Sequence, residues 1–164
     1  MKHLRNPFTR LEGYNCFGCS PDNPLGLRLD FTEEGDEIVS RWQPGNNFQG
    51  YFNILHGGIQ ATLMDEIACW TVWVKLKTAG FTSKADIRYL KTVGMDQGPI
   101  TLRSKVKQMR RNLADIEVGL YDKNNTLCAN GLLTFFTFSP EKSKQSMHYP
   151  DHSLFYGDPG EIQP

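Results

Sequence analysis

The chain has 164 residues, 18 basic and 18 acidic side chains, and a formal net charge of zero. That length fits one domain of ordinary size, and 39% hydrophobic with 12% aromatic residues argues against wholesale disorder. The missing basic surplus argues against a nucleic-acid binder and against electrostatic docking on an anionic membrane, and zero net charge leaves self-association unopposed by repulsion.

The chain starts Met-Lys-His-Leu-Arg-Asn-Pro, with positive charge but no apolar run of the kind a secretory signal carries. A cytoplasmic protein is expected, with Cys16, Cys19, Cys69 and Cys128 as thiols. Residues 1–25 read as a loop-rich arm, punctuated by Asn6-Pro7 and Pro21-Asp22-Asn23-Pro24. Leu27, Leu29 and Phe31 alternate with Arg28 and Asp30, the pattern of a half-buried strand. After a turn at Glu34-Gly35-Asp36, residues 38–42 read as its hairpin partner.

Residues 56–77 place apolar side chains in almost every direction around a helix, which predicts a buried helix. Its length approaches a membrane span, but the adjacent acids Asp65 and Glu66 in mid-segment make lipid burial too costly. Period two then returns. Strands are expected at 86–90, 100–107, 116–122 and 127–138, as four consecutive strands joined by short turns. The long apolar run ending at Phe138 suggests a central place for the last of them. Residues 140–164, with four prolines, read as a polar tail that Tyr149, Phe155 and Tyr156 could pin to the surface. The expected organisation is an arm (1–25), one α+β domain (26–139) with an antiparallel sheet around a long helix, and a tail (140–164). A helix apolar on every side needs more cover than one sheet gives, so at least a dimer is expected.

His56-Gly57-Gly58 at the start of that helix is the most informative motif. Paired glycines there are costly in conformational entropy, and make sense where something approaches the backbone closely. A helix N-terminus offers unpaired N–H groups and a positive dipole end, able to hold an oxyanion formed in acyl transfer. Asp65 lies nine residues beyond His56, roughly half a turn around the helix and about 13 Å along it. One helix cannot bring both to one reacting carbon, but two antiparallel helices of a symmetric dimer can. Glu66 competes with Asp65, and periodicity does not choose between them. The blander readings are a loop-to-helix junction for the glycines and a structural carboxylate for Asp65.

Cys16-x-x-Cys19 could supply half of a zinc site or a redox pair, but no second pair of ligands follows it. It reads best as a turn with packed thiols, so no metal or cofactor is expected.

His56-Gly57-Gly58 with Leu63 and Asp65, preceded by Phe48-Gln49-Gly50 and Leu55, resembles the hotdog-fold acyl-CoA thioesterases, in particular the phenylacetate-pathway and thioesterase-superfamily-member group. Asp86-Ile87-Arg88-Tyr89-Leu90 resembles that family's strand after the helix, and Cys16 to Leu29 resembles an arm of some bacterial members. The resemblance covers roughly residues 25–139. It implies a curved antiparallel sheet wrapped around the helix, and a homodimer or homotetramer. It implies Asp65 as general base or nucleophile, the Gly57 N–H as oxyanion donor with Gly58 beside it, His56 orienting the acyl group, and Thr82 positioning water. Many members carry Asn where this chain has Gly50, which leaves Gln49 or Asn53 to support the site. A CoA thioester needs cations for its phosphates. Lys84, Arg88, Lys91, Arg110 and Arg111 are candidates, with Arg110 and Arg111 preferred; the plainer reading of that pair is a solvated strand end. The expected function is hydrolysis of acyl-CoA to acid and CoA. The alternatives are a non-catalytic acyl-CoA-binding module and a dehydratase on the same fold.

Overall fold

The computed structural model describes residues 1–157. Seven antiparallel strands form one sheet: β1 (Lys2–Leu4), β2 (Phe31–Glu34), β3 (Glu37–Trp42), β4 (Gly80–Tyr89), β5 (Ile100–Arg110), β6 (Leu113–Tyr121) and β7 (Leu127–Thr137). Their order across the sheet is β1-β2-β3-β5-β6-β7-β4. The long helix α1 (Gly57–Lys75) packs on this curved sheet, and a short helix α2 (Pro140–Met147) follows β7. This is the α+β hotdog arrangement that the sequence motifs led us to expect.

The core follows from the period-two pattern. Ile100 and Leu102 of β5, Ile116 and Leu120 of β6, and Leu133 and Phe135 of β7 are buried, as are Leu63, Met64 and Ile67 of α1. A polar pin sits inside this packing. Ser104 donates to the Ile67 carbonyl at 3.2 Å, and its hydroxyl also bonds that of Thr71. The buried hydroxyls are thereby paired, which removes the penalty of burying them.

Several boundaries differ from the sequence expectation, each for a physical reason. Leu27 and Leu29 are buried, but this segment is not a strand; its N–H groups bond the carbonyls of Phe17 and Gly18 in the arm. The ladder starts only at Phe31. The four later strands do not run as consecutive hairpins. β4 pairs with β7, and the connection after Tyr89 crosses to β5, beside β3. β7 is interior, between β6 and β4, while β4 forms an edge.

The arm and the tail are not appendages. β1 adds an edge strand beside β2. Phe8 lies 4.6 Å, centroid to centroid, from Trp73, and Phe155 lies 5.8 Å from Trp70. Tyr149 donates its hydroxyl to the Trp73 carbonyl at 2.7 Å. The aromatic residues of residues 1–25 and 140–157 thus cover the side of α1 that the sheet leaves open, a role the sequence reading gave to a second chain. The expected tail beyond residue 157 lies outside the described residues.

Candidate active site

The site begins with the cap of α1. His56 is the N-cap residue, and its Nδ1 accepts the Gly58 N–H at 2.9 Å. In the neutral ring this leaves the proton on Nε2, as a donor facing outward. The Gln60 N–H bonds the His56 carbonyl. Gly57 is the first helical residue, where an N–H has no partner within the helix. Tyr89 of β4 donates its hydroxyl to the Gly57 carbonyl at 2.9 Å, tying the strand to the helix start.

A cleft of about 690 Å³ opens here, with Gln49, Gly50, His56, Gly57, Tyr89 and Lys91 among its walls. Gln49 accepts the Asn53 N–H through Oε1 at 2.7 Å, which leaves its amide nitrogen as a donor. Asn53 has a left-handed backbone (φ +58°), and its carbonyl accepts the Met95 N–H; it shapes the loop and does not line the cleft. Gln60 also lines the cleft. It is buried, its Nε2 bonds the Leu55 carbonyl, and its Oε1 has no partner among the described residues.

Asp65 lies two turns further along α1, about 12 Å from Gly57 by helical rise. Thr82 of β4 donates its hydroxyl to Asp65 Oδ1 at 2.6 Å. The register between β4 and β7 shifts between Thr82 and Lys84, a bulge of the kind that re-aims side chains. The structure thus brings Asp65 and Thr82 together, while Asp65 is not part of the cleft wall at His56 and Gly57. It also separates the two adjacent acids. Asp65 turns to Thr82, whereas Glu66 turns to the arm, 3.6 Å from the Cys16 sulfur.

The expected cations are dispersed. Arg88 is exposed in a different groove, shared with Lys105, Lys107, Asp86 and Glu117. Strand alternation sends it away from its neighbour Tyr89. Arg110 pairs with the buried Asp115 at 2.8 Å, and Arg111 stands exposed at the β5–β6 turn with φ +56°. Lys91, which the sequence reading ranked below the arginine pair, is the cation that lines the cleft. Tyr89 and Gln60 were not singled out by that reading. Alternation along β4 could have placed Tyr89 on the helix side, whereas Gln60 was visible only as a polar break in the apolar run of the helix.

β4 forms one rim of the sheet, and its residues are exposed along most of its length. Phe81, Tyr89 and Leu90 are each about half exposed, and Tyr51 and Phe52 on the neighbouring loop are almost fully exposed.

The family model of the thioesterase superfamily matches residues 52–129. A protein of Saccharolobus solfataricus designated an esterase is 30% identical over 126 residues, covering 76% of this chain and 82% of the relative. The chain belongs to the thioesterase superfamily. Solved structures give the same fold. A Streptococcus pneumoniae thioesterase-type protein with coenzyme A superposes with a TM-score of 0.62 at 22% identity, over 68% of this chain and 86% of that one. Zebrafish thioesterase superfamily member 2 gives 0.60 at 23% identity, over 68% and 81%. A Streptococcus mutans protein bound to acetyl-CoA gives 0.62 at 17% identity, over 79% and 97%. No helix among the described residues is long and apolar enough to cross a membrane.

Proposed function

We propose that this thioesterase-superfamily protein hydrolyses acyl-CoA thioesters to free acid and CoA. The observation that carries the reading is the 2.6 Å hydrogen bond from Thr82 to Asp65, at an exposed strand edge and apart from the His56–Gly57 cleft. The thioester carbonyl points at the Gly57 N–H, where the helix dipole favours the developing oxyanion. His56 and Gln49 offer donors in the same cleft, and Gly58 keeps the helix start narrow. Asp65 acts from the partner chain. As a base it takes a proton from water, the hydroxide attacks the carbonyl, and the C–S bond breaks to release CoA as thiolate. As a nucleophile it attacks first and water then hydrolyses the anhydride. In either case the Thr82 hydroxyl fixes one carboxylate oxygen and leaves the other free to react.

The functional unit is a homodimer, or a homotetramer built from it. Its interface is the β4 rim with its exposed Phe81, Tyr89 and Leu90, since an unpaired edge with apolar side chains invites a partner strand. A two-fold axis at this edge would set Asp65 of each chain toward the His56–Gly57 cleft of the other. Lys91 at the cleft wall meets the CoA phosphates, while Arg110 remains with Asp115. Coenzyme A on one of the neighbouring folds and acetyl-CoA on another support this ligand class.

The test follows free CoA across a panel of acyl-CoAs, with the wild-type chain beside Asp65→Asn. Turnover is expected to fall by about 100-fold or more, the scale of losing a general base. Equal turnover in both proteins refutes the role of Asp65. Tight acyl-CoA binding with no release from any substrate favours a non-catalytic binding module, the reading that Gly50 in place of the family Asn keeps open.

A further inference from the structure

We propose that Cys16, Cys19 and Glu66 form a binding site for a thiophilic divalent cation of the zinc class, which fastens the N-terminal arm to α1 one residue from Asp65. The sequence offers only the first half of such a site. The fold supplies the third donor, because Glu66 turns away from Thr82 and into the Cys16–Cys19 loop. One ligand atom from each residue lies within 4.8 Å of the other two.

The geometry is that of a coordination shell. The Cys16 sulfur lies 3.6 and 3.7 Å from the two Glu66 carboxylate oxygens. A tetrahedral zinc with its usual sulfur and oxygen bond lengths sets those two atoms about 3.5 Å apart. The loop is shaped for the carboxylate. At Gly18, between the cysteines, an added Cβ would collide with the Glu66 carboxyl group. The outer shell is also built. The Cys19 sulfur shares a hydrogen bond with the Tyr14 hydroxyl at 3.1 Å and accepts the Asn6 amide at 3.4 Å, contacts that orient a ligating sulfur.

The electrostatics support a cation. Three acidic groups converge, and Glu66 makes no ion pair with a basic side chain among the described residues. A divalent cation would replace the thiol protons, which leave to solvent, and would balance two of the three negative charges of the cluster. Three protein ligands leave a fourth position for water. This reading is independent of the proposed hydrolysis, because it uses neither the cleft nor Asp65.

The test uses the full chain, reduced and stripped of metal, titrated anaerobically with Co²⁺ and then with Zn²⁺. One Co²⁺ per chain is expected, with thiolate-to-cobalt charge-transfer absorption that Zn²⁺ abolishes. Glu66→Gln is expected to weaken Co²⁺ binding at least about 10-fold, since even outer-shell losses cost that much. Cys128→Ala, in β7, should bind as the wild type does. Alkylation mapped by mass spectrometry covers the case of a variant that fails to fold. Zn²⁺ should slow modification of both Cys16 and Cys19 in the wild-type chain. The proposal is overturned if the charge-transfer band is absent, if Glu66→Gln binds as tightly as wild type, or if Zn²⁺ leaves both thiols equally reactive.

Discussion

At position 50 the backbone lies so close to the start of α1 that a Cβ would sit 3.2 Å from His56 Cα and 3.3 Å from His56 Cδ2. Gly50 is therefore fitted to this placement of the imidazole, and an asparagine there would push on the ring. Gly50→Asn is expected to lower kcat/KM toward acyl-CoA by roughly 10- to 100-fold, since small misplacements of positioned groups carry penalties of that size. A steady-state comparison with the wild type checks it, and a gain in activity would show that the loop adapts. Gly50 was visible in the sequence, but which neighbouring side chain faces the cleft was not. Gln49 and Asn53 were equal candidates as letters. The left-handed backbone of Asn53 and the hydrogen bond of its N–H to Gln49 separate them, leaving the Gln49 amide in the cleft. The choice between Asp65 and Glu66 has the same character. Adjacent helical residues point about 100° apart, and only the packed arm and β4 decide which acid meets which partner.

Among the elements, α1 and the interior strands were legible because their apolar periods match their burial. The β4 edge, the crossover after it and the packed termini were not, because pairing partners lie far apart in the chain. Leu27 and Leu29 show how a local pattern misleads. Their alternation is real and both are buried, yet their backbone bonds the arm rather than a sheet neighbour. The terminal segment α2 and the turn after it earn their place through Phe155, which is fully buried against Trp70, Trp73 and Tyr149. Phe155→Ala is expected to lower stability by about 3–5 kcal/mol, the range for emptying a buried aromatic site, as read from urea unfolding. A loss within about 0.5 kcal/mol would show that the terminus is a surface appendage. The β5–β6 hairpin carries a different device. Asp115 accepts from Thr134 and Gln108 at 2.7 Å and from Arg110 at 2.8 Å. These donors, Thr134 foremost, hold its carboxyl below its ordinary 3.8. A depressed folded value means stability that is full above the ordinary value and lost as pH falls through the folded one. Asp115→Asn should thus destabilise the chain by about 1–3 kcal/mol at neutral pH. The gap from wild type should narrow at about pH 3, below the ordinary carboxyl value, where stability is being lost toward the folded one. Parallel urea titrations at the two pH values test this, and a constant gap contradicts the linkage.

At the scale of the whole molecule, the two halves of the proposed site lie at different points along one helix. The His56–Gly57 cleft sits at its start, and Asp65, held by Thr82, lies two turns on. The termini already cover the far side of α1, so helix burial no longer calls for a second chain. The demand for a partner comes instead from the divided site and from the apolar β4 rim. This makes complementation between inactive chains the decisive measurement. Asp65→Asn and His56→Ala are each expected to be nearly inactive alone, because every site in either homodimer lacks one group. When the two are unfolded together and refolded as an equal mixture, half of the dimers pair unlike chains. In each such dimer one site takes Asp65 from one chain and His56 from the other, while the second site lacks both. Recovery to about a quarter of wild-type activity follows from the two-fold symmetry. The recovered activity should require co-refolding or subunit exchange, and should travel with the dimer in size-exclusion chromatography. If the mixture is no more active than the average of its parts, each chain completes its own site, and Asp65 acts within the protomer.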